Sequence, residues 1–512
     1  MKKFYSCLVM MLLVCVMIFS ACGKTPAMKG EQPNTNANTF GNGGKSVVKD
    51  GYIYYVNGFL ETSDYDELSE NKLGEVEKGA IYRAKLDNAG KIIKDENGFL
   101  VETEAIVKKV VGFDKGSFYI IGDYIYYTTP HNQKDSSGDL REDFVDICKI
   151  RIDGNAETNT KLYTVSNIST DFDWTVYTMS GKTYVAFIEA NSSTEANSAE
   201  TKVVKVIDAK SKKVVTKIEN ATSVKLFKQN DYLTEESDLV DGNQYVYYTR
   251  EVTEEDSFYH NGEFTGNLLC RVKIGTNTEE IFETESEGDV YSLVDVKNNS
   301  IYYTVTDYLS FTKLYKVENS TFNRDNQEVL TDAGYSDFIV IDHNDNTTLN
   351  YVIAKKDDVY YRINMVNGVA KRVAVLDGAV TIVKAVGNDL YFTQESSGET
   401  KTTMLYKVDI KSQDLDRVQV TKTDVTYKLE ANLIDFDGRR VVLFAEYKND
   451  LATENETDDV KSYYLNMIDT LDKEDGEFTS KFVGEFKNND KPQQPKDNEE
   501  TDDIDESKPW VE

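Results

Sequence analysis

Three histidines, His131, His260 and His343, are the side chains of this sequence best suited to acid–base or metal chemistry. They lie in segments that we predict to be loops of different structural units, and no two of them have the spacing of metal ligands. A Gly-x-Ser-x-Gly elbow, an HExxH motif and a Cys/His nucleophile pair are all missing from the sequence. The sequence therefore holds no specific catalytic constellation, and we predict neither a metal nor a cofactor.

Carboxylates are the chemically active groups in excess. The chain has 89 Asp and Glu against 58 Lys and Arg, and its formal net charge is −31 at pH 7. Two carboxylates can hydrolyse a glycosidic bond, but so many acids supply any geometry and give no specific signal. Such a charge repels nucleic acid and anionic lipid or wall polymers, so we exclude a nucleic-acid partner. Solubility alone also explains the acidity.

Cys22 has the clearest chemical context of the cysteines. Lys2 and Lys3 precede an apolar run from Leu8 to Phe19, which is shorter than the ~20 residues that span a bilayer but suits a secretory signal. The residues Phe19-Ser20-Ala21-Cys22 resemble a bacterial lipobox, a motif that implies acylation of the cysteine thiol and cleavage just before it. An ordinary signal peptide with a chance cysteine is the alternative.

These features predict the cellular location of the protein and the character of its terminal segments. We expect a lipoprotein signal peptide over residues 1–21 and a lipid on Cys22, which anchors the chain to the extracytoplasmic face of the cell membrane. Residues 22–45 are polar and rich in Asn, Gly and Thr, which predicts a flexible tether. Residues 488–512 are acidic and contain three prolines, which predicts a disordered tail.

A tyrosine-rich strand, repeated along the chain, is the element that must position any site. In its clearest copy, the turn Gly122-Asp123 leads into Tyr124 to Thr129, and a loop then leads to the alternating segment Ile147 to Asp153. We call the first element the tyrosine strand and the second its partner strand. The eight copies have a mean spacing of about 56 residues. Their anchors are Tyr54, Tyr126, Tyr184, Tyr247, Tyr302, Tyr351, Tyr391 and Phe444.

Further strands flank each pair, so each unit reads as four antiparallel strands. A single four-stranded sheet cannot bury both of its faces, whereas sheets stacked around an axis cover one another. We therefore predict an all-β fold, a β-propeller of seven or eight four-stranded antiparallel blades over residues 46–487. A pair of β-sandwiches is the alternative. Residues 478–487 form either the outer strand of the last blade or a strand donated to the first.

Cys148 and Cys270 occupy equivalent places in the partner strands of two different units. Residues in separate blades would not meet. We therefore predict two small buried apolar residues rather than a disulfide or a metal pair.

The repeated phrase resembles the β-propeller domain of Gram-positive lipoproteins whose function is not established. That domain is similar in turn to the YWTD propeller of low-density-lipoprotein receptors. The matching residues include Tyr126 to Thr129 and Tyr302 to Val305, and the resemblance covers roughly residues 46–487. Trp is absent from these motifs, and Trp-Asp occurs nowhere in the chain. The resemblance implies a propeller fold and no particular activity.

The loops between each tyrosine strand and its partner strand emerge on one face of a propeller, which we call the docking face. Loop 59–79 carries seven acids, and loop 251–266 combines five acids with Phe258, Tyr259 and His260. Loops on a rigid scaffold are the usual place for binding residues, so we predict that this face binds a cationic or neutral partner. A solvated rim without a partner is the alternative. The candidate docking residues are Asp64, Asp66, Glu67, Phe258, Tyr259 and His260.

These observations together predict a non-enzymatic binding or scaffold lipoprotein whose partner is an extracytoplasmic protein or a glycan. The competing prediction is a cell-envelope glycan hydrolase or lyase with its site in the central funnel of the propeller. A cluster of acids converging on a deep axial pocket would favour the enzyme. A solute receptor of the periplasmic type would need two α/β lobes, and the sequence has no βαβ pattern.

Overall fold

The structure is a computed structural model that describes the chain between Asn34 and Phe486. Among the residues described there, the helices are four short 3₁₀ turns, Ala156–Thr158, Asn319–Thr321, Arg324–Asn326 and Ala374–Leu376. No helix in this part of the chain is long and apolar enough to cross a membrane. Some shorter stretches and the following longer ones are not described: 57–79, 94–103, 112–117, 137–142, 192–200, 228–243, 257–265, 342–349, 396–402, 421–427 and 449–460.

The described strands pair antiparallel with their neighbours in sequence and form seven sheets. The first sheet holds β1 (Thr39–Phe40), β2 (Ser46–Lys49), β3 (Tyr52–Val56), β4 (Ile81–Lys85) and β5 (Glu104–Val107). The second holds β6 (Phe118–Ile121), β7 (Tyr124–Pro130), β8 (Phe144–Arg151) and β9 (Thr160–Ser166). The third holds β10 (Asp173–Met179), β11 (Lys182–Ala190), β12 (Lys202–Asp208), β13 (Lys213–Lys225), β14 (Tyr245–Glu251), β15 (Asn267–Lys273) and β16 (Glu279–Ile281).

The other four sheets have four strands each. They hold β17 (Val290–Lys297), β18 (Ser300–Thr306), β19 (Thr312–Glu318) and β20 (Glu328–Val329), then β21 (Ser336–Ile341), β22 (Tyr351–Lys356), β23 (Val359–Asn364) and β24 (Ala370–Arg372). They continue with β25 (Val380–Val386), β26 (Asp389–Glu395), β27 (Thr403–Asp409) and β28 (Arg417–Gln419). The last sheet holds β29 (Lys428–Phe436), β30 (Arg440–Lys448), β31 (Lys461–Glu474) and β32 (Glu477–Phe486).

All eight predicted tyrosine strands and their partner strands are present and paired. The tyrosine strands are β3, β7, β11, β14, β18, β22, β26 and β30, and each pairs with the strand that follows it. The strands that precede the tyrosine strands of successive sheets contact one another, as β2 contacts β6 and β6 contacts β10. The prediction of an all-β fold, with antiparallel four-stranded sheets arranged in a propeller ring, is confirmed. The last strand, β32, pairs with β31 and so is the outer strand of its own sheet.

The sheets do not reproduce seven or eight separate four-stranded blades. Five of them have four strands, and the other two have five and seven. The extra strand of the first sheet is β1, which pairs Thr39 with Lys49; the sheet thus begins inside the range predicted as tether. In the seven-stranded sheet, the long strand β13 pairs with β12 through its first part and with β14 through Ala221 to Lys225. One continuous strand therefore joins two of the repeated units.

Packing between sheets buries the tyrosine strands. All five residues of β3 are buried, and its Tyr54 belongs to one apolar cluster with Phe118 of β6 and Tyr127 of β7. A second cluster joins Ile353 of β22 to Phe392 of β26. The β-branched and aromatic residues that favour strands thus also cover the facing sheet.

The hydroxyl groups of several tyrosines bond to residues near the outer strand of the same sheet. The Tyr127 hydroxyl donates to Asn159 Oδ1 at 2.9 Å, and the Tyr303 hydroxyl donates to Gln327 Oε1 at 2.8 Å. A tyrosine buried in this way fills the interface between sheets and still satisfies its polar end.

A cation in the partner strand links consecutive units. Arg83, Lys149, Arg271 and Arg362 lie at the same register, opposite Tyr54, Tyr126, Tyr247 and Ile353. Each cation lies over the ring of the tyrosine two residues before its opposite neighbour, which attracts it electrostatically. The distances to the ring centroids are 4.4 Å for Arg83 on Tyr52, 4.8 Å for Lys149 on Tyr124, 4.2 Å for Arg271 on Tyr245 and 4.8 Å for Arg362 on Tyr351.

Three of these cations also donate to a main-chain carbonyl just beyond the partner strand of the next unit. Lys149 Nζ donates to the Ala209 carbonyl at 2.8 Å, and Arg271 Nη1 donates to that of Asn319 at 2.7 Å. Arg362 Nη1 donates to the carbonyls of Ile410 and Ser412, the latter at 2.8 Å. We call this arrangement the cation staple. It satisfies carbonyl groups at the ends of strands, where the ladder stops.

In the three staples, a tyrosine begins the strand that lies opposite the cation. Where Ser300 takes its place, Lys316 pairs instead with Glu318 at 3.6 Å. Where Asp389 takes its place, Lys407 Nζ bonds to that carboxylate at 2.6 Å. The three staples thus all occur where a tyrosine begins the strand, whereas Lys316 and Lys407 each bond to an acid of their own sheet.

We expect Arg362→Met to lower the free energy of unfolding by about 1.5–3 kcal/mol, because it removes charged hydrogen bonds to two carbonyls. Chemical denaturation measures the change. Lys316→Met, at the same register but with a half-exposed ion pair in place of the staple, is the matched control and should cost less than about 1 kcal/mol. Equal losses in the two variants would contradict a special role for the staple.

The two cysteines of the described residues are free and buried, as predicted for Cys148 and Cys270. Burial raises the pKa of Cys148 to about 11 and also raises the pKa of Cys270. Each thiol is therefore protonated and shielded.

We expect neither Cys148 nor Cys270 to react with iodoacetamide at about pH 8 in the native protein, because the thiolate is the reactive form. Both should react after denaturation. Peptide mass mapping reads the two sites separately, and rapid alkylation of either one under native conditions would contradict the buried positions.

Candidate functional site

The predicted site residues Cys22, Asp64, Asp66, Glu67, Phe258, Tyr259 and His260 all lie outside the described residues, as does His343. The structure does describe the strands and turns from which the docking-face loops arise. Two of these places carry features that a solubilising rim would not need: the base of loop 251–266, and the short loop between β18 and β19.

Arg250, at the end of tyrosine strand β14, forms a clamp at the base of loop 251–266. Its guanidinium group donates to both carboxylate oxygens of Asp256, at 2.8 and 2.9 Å. It also donates to Glu279 of β16, at 2.6 Å from Nη2 and 3.0 Å from Nε. The side chains of Arg250 and Asp256 are only 14% and 7% exposed. Bidentate contacts of this kind fix geometry as well as charge.

Asp256 also closes the first turn of that loop. Its carboxylate accepts hydrogen bonds from the main-chain N–H of Thr253 at 2.7 Å and from the Thr253 hydroxyl at 3.1 Å. The Asp256 N–H donates back to the Thr253 carbonyl at 3.0 Å. The candidate residue Phe258 follows two positions later. The clamp therefore fixes Asp256 and the turn at Thr253 against β14 and β16.

Electrostatics within the clamp favours the charged forms of both acids. The hydrogen bonds from Arg250 lower the pKa of Asp256 to about 2. For Glu279, burial acts to raise the pKa, but the bonds from Arg250 and the Tyr248 hydroxyl outweigh it and the pKa is lowered. Every charged group in the clamp is thus engaged by another. This arrangement can hold a loop, but it offers no free base or nucleophile.

The loop between β18 and β19 exposes apolar side chains on a rigid turn. Asp307 Oδ1 accepts hydrogen bonds from the main-chain N–H groups of Leu309 and Phe311, both at 2.9 Å. The Ser310 N–H donates to the Asp307 carbonyl at 2.8 Å. Tyr308, Leu309 and Phe311 are 78%, 57% and 52% exposed. We call residues 307–312 the apolar hairpin.

Sequence reasoning overlooked the apolar hairpin because it searched the docking face for charge. The signal was nonetheless present. Tyr308, Leu309 and Phe311 follow the tyrosine strand directly, at the place where other units carry polar loops, and Asp307 is a typical residue for initiating a turn.

His131 is the one histidine that the structure describes, and it lies at the base of another docking-face loop. Its Nδ1 lies 2.9 Å from Asp146 Oδ1. That oxygen also accepts a bond from the Thr164 hydroxyl at 2.6 Å and lies 3.4 Å from Lys161 Nζ. The carboxylate is thus shared among three partners. Among the described residues, no three His, Cys, Asp or Glu side chains converge as a metal ion would require.

No protein-family model matches the chain, and no curated protein sequence matches it. Solved structures do show similarity. One, from a study of two prolyl endopeptidases, is 11% identical with a TM-score of 0.43 and is matched over 86% of this chain and 56% of that one. Oligopeptidase B from Leishmania major is 11% identical with a TM-score of 0.41, over 72% of this chain and 48% of that one.

Acylaminoacyl peptidase from Pyrococcus horikoshii is also 11% identical, with a TM-score of 0.39 over 85% of this chain and 59% of that one. The chain therefore spans only about half to three fifths of the length of these enzymes. At such identity and TM-score the similarities carry no statement about the activity of this chain.

We expect the stabilising effect of Asp256 to depend on pH in the acid range. Its pKa is about 2 in the folded protein against an ordinary value of 3.8. Folding therefore favours the ionised form, and the stabilisation is complete above about pH 5 and is lost as the pH falls toward about 2. The free energy of unfolding of Asp256→Asn should lie below that of the wild type at neutral pH and approach it in acid.

Denaturation curves at several pH values measure this difference. The control is Asp377→Asn. It removes the ion pair between Asp377 and Arg372, whose side chain is 57% exposed. A difference between wild type and Asp256→Asn that did not change with pH would contradict the clamp.

Proposed function

We propose that this chain is a lipoprotein, anchored through Cys22 on the extracytoplasmic face of the cell membrane of a Gram-positive bacterium. Its propeller is a non-enzymatic binding or scaffold module for another extracytoplasmic protein or a glycan. The binding residues belong to the docking face, and Phe258, Tyr259 and His260 are among them.

The clamp of Arg250, Asp256 and Glu279 is the observation that carries this proposal. Burying three charged groups is costly unless each one is bonded, and a propeller needs no such cluster to fold. The equivalent position in the other described tyrosine strands never holds arginine. It is occupied by Thr129, Glu189, Val305, Lys356, Gln394 and Ala445. The clamp is thus a local addition that fixes Asp256 and the turn at Thr253, and a fixed loop base suits binding.

The start of the described chain supports a particular orientation on the membrane. Lys49 Nζ donates to the Ala37 carbonyl at 2.7 Å and to the Thr39 hydroxyl at 3.1 Å. Both contacts lie beside the turn Asp50-Gly51, at the opposite end of the sheet from the docking-face loops. A tether from Cys22 that enters there directs the docking face away from the membrane that holds the anchor.

The proposal includes a ring of eight units, whose repeated strand motif is similar to that of YWTD propellers. The seven-stranded sheet then counts as two units that share β13, and β1 counts as an addition to the first unit. Two features support this count: the tyrosine strand and its partner strand occur eight times, and β13 changes its pairing partner at Ala221.

We expect replacement of residues 257–265 by a Gly/Ser segment of equal length to abolish capture of the partner without unfolding the protein, because the clamp at Asp256 stays intact. The measurement is chemical crosslinking of the full-length lipoprotein in its own membrane, followed by affinity purification and identification of the crosslinked molecules. The control replaces residues 366–369, a turn on the opposite face, and should leave capture unchanged.

Retention of every partner by the 257–265 variant would contradict the docking face as the binding site. Cys22→Ser tests the anchor separately and should move the protein from the membrane to the soluble fraction. A Cys22→Ser protein that remained on the membrane would contradict lipid attachment at this residue.

A further inference from the structure

The large side chains of the apolar hairpin are exposed in the described part of the chain. Tyr308 is 78% exposed and is the most exposed of the large apolar side chains in the described residues. Leu309 and Phe311 flank it on the same turn, and Val290, opposite Thr306 in the sheet, is 45% exposed. Single exposed apolar residues are ordinary, but four that cluster at one loop mark an interaction site.

The hairpin is held in one conformation before any partner binds. Asp307 accepts two main-chain hydrogen bonds through its side chain. The Thr306 and Thr312 hydroxyls lie 2.9 Å apart at its base. Ser310 adopts a positive φ of 65° to complete the turn. Such preorganisation lowers the entropic cost of binding, which is the usual reason to keep apolar residues on a rigid loop.

Acidic side chains lie beside the hairpin on the docking face. The Gly334 N–H donates to the Thr312 carbonyl at 3.2 Å, which places exposed Asp332 next to the turn. The following strand starts nearby with exposed Asp337, and the turn between β22 and β23 exposes Asp357 and Asp358. Lys355 pairs with Asp358 at 3.1 Å and also interacts electrostatically with Asp337, and Lys356 lies 5.1 Å from the Tyr335 ring centroid. The four exposed acids outnumber these two lysines, so the apolar centre has a rim of net negative charge.

We infer that the apolar hairpin inserts into an apolar pocket rimmed by Lys or Arg on an extracytoplasmic protein. This inference rests on the proposed function and specifies the class of its partner. A central apolar and aromatic contact surrounded by charge is the usual anatomy of a protein interface. The rim favours a basic partner because complementary potentials speed association and opposed like charges weaken it.

Other occupants of the hairpin fit these observations less well. A second copy of the chain would bring Asp332 and Asp337 against the same acids of the first copy. The anchoring membrane lies on the far side of the propeller if the tether enters beside Asp50. A glycan would use the exposed Tyr308 ring but would gain nothing from Leu309 or from the negative rim.

Site-specific photo-crosslinking of the full-length lipoprotein in the membrane of the cells that produce it tests the inference. The probe is p-benzoylphenylalanine, introduced at residue 308, and the matched control carries the probe at residue 366, which is 73% exposed in the wild type and lies on the opposite face. We expect position 308, but not position 366, to crosslink to one protein. The crosslinked peptide of that protein should be apolar and flanked by Lys or Arg.

Two further variants, each carrying the probe at 308, separate an apolar contact from a chance collision. Asp332→Lys combined with Asp337→Lys should lower the crosslink yield by roughly tenfold, because it reverses the rim. Leu309→Ser combined with Phe311→Ser should lower it at least as much. Both pairs are surface changes, so the midpoint of thermal unfolding should stay close to that of the wild type, and this measurement verifies the fold.

The remaining outcomes overturn the inference. They are crosslinks to a second copy of the chain, to lipid or to glycan alone, an equal yield from position 366, a yield unaffected by reversal of the rim, or no crosslink at all. The proposed function fails by a different result, since the 257–265 replacement leaves the hairpin intact. If a partner is lost on that replacement but never crosslinks to position 308, the docking face remains the proposed binding site and the apolar hairpin is not part of it.

Discussion

A four-stranded sheet has two apolar faces, and in this protein the described apolar clusters join the faces of neighbouring sheets. The rest of the structure depends on that constraint. The tyrosine strands supply the large side chains that fill the space between sheets, and the partner strands supply cations that reach the next unit. Where a tyrosine begins the strand, the cation lies over its ring, as Arg271 lies over Tyr245. The same alternation thus provides packing, hydrogen bonds and the order of the units.

The packing of the strands limits where a binding site can lie. The tyrosines and the stapled cations are occupied within the scaffold, so they are poor candidates for binding a ligand despite their chemistry. The loops of the docking face do not pack between sheets. At two of them, side-chain hydrogen bonds hold the described base or turn. One is clamped by Arg250, and the other is closed by Asp307. Both arrangements hold the described base or turn of a loop in one conformation, which suits a binding role.

Much of the fold could be predicted because its signals are local and repeated. The alternation of apolar and charged residues, with turns such as Gly122-Asp123, located all eight tyrosine strands and their partners. The alignment of the tyrosine strands with one another was harder to predict. The sequence aligned Tyr184 and Tyr351 with Tyr54, whereas the pairing with Asp208 and Asn364 aligns them with Tyr52. A shift of two residues keeps the same face, so the apolar pattern cannot detect it.

The candidate site was less predictable because its contacts are not local. Arg250 and Glu279 are 29 residues apart and meet only because β14, β15 and β16 are adjacent in one sheet. No spacing rule pairs them. The joining of two units through β13 was hidden for a similar reason, since a strand that continues across a boundary has the same composition as two separate strands. The number of units in a ring depends on such joints rather than on the repeat itself.

Hydrogen–deuterium exchange of the lipoprotein in its native membrane, compared with the purified protein in detergent, tests the central claim that the docking face binds the partner. The account predicts slower exchange in the membrane for the main-chain amides of the apolar hairpin and of the turn at Thr253. The turns at the opposite end of the sheets, such as Asp50-Gly51, should exchange equally in both samples. Slower exchange at those turns alone, or identical exchange everywhere, would contradict the claim.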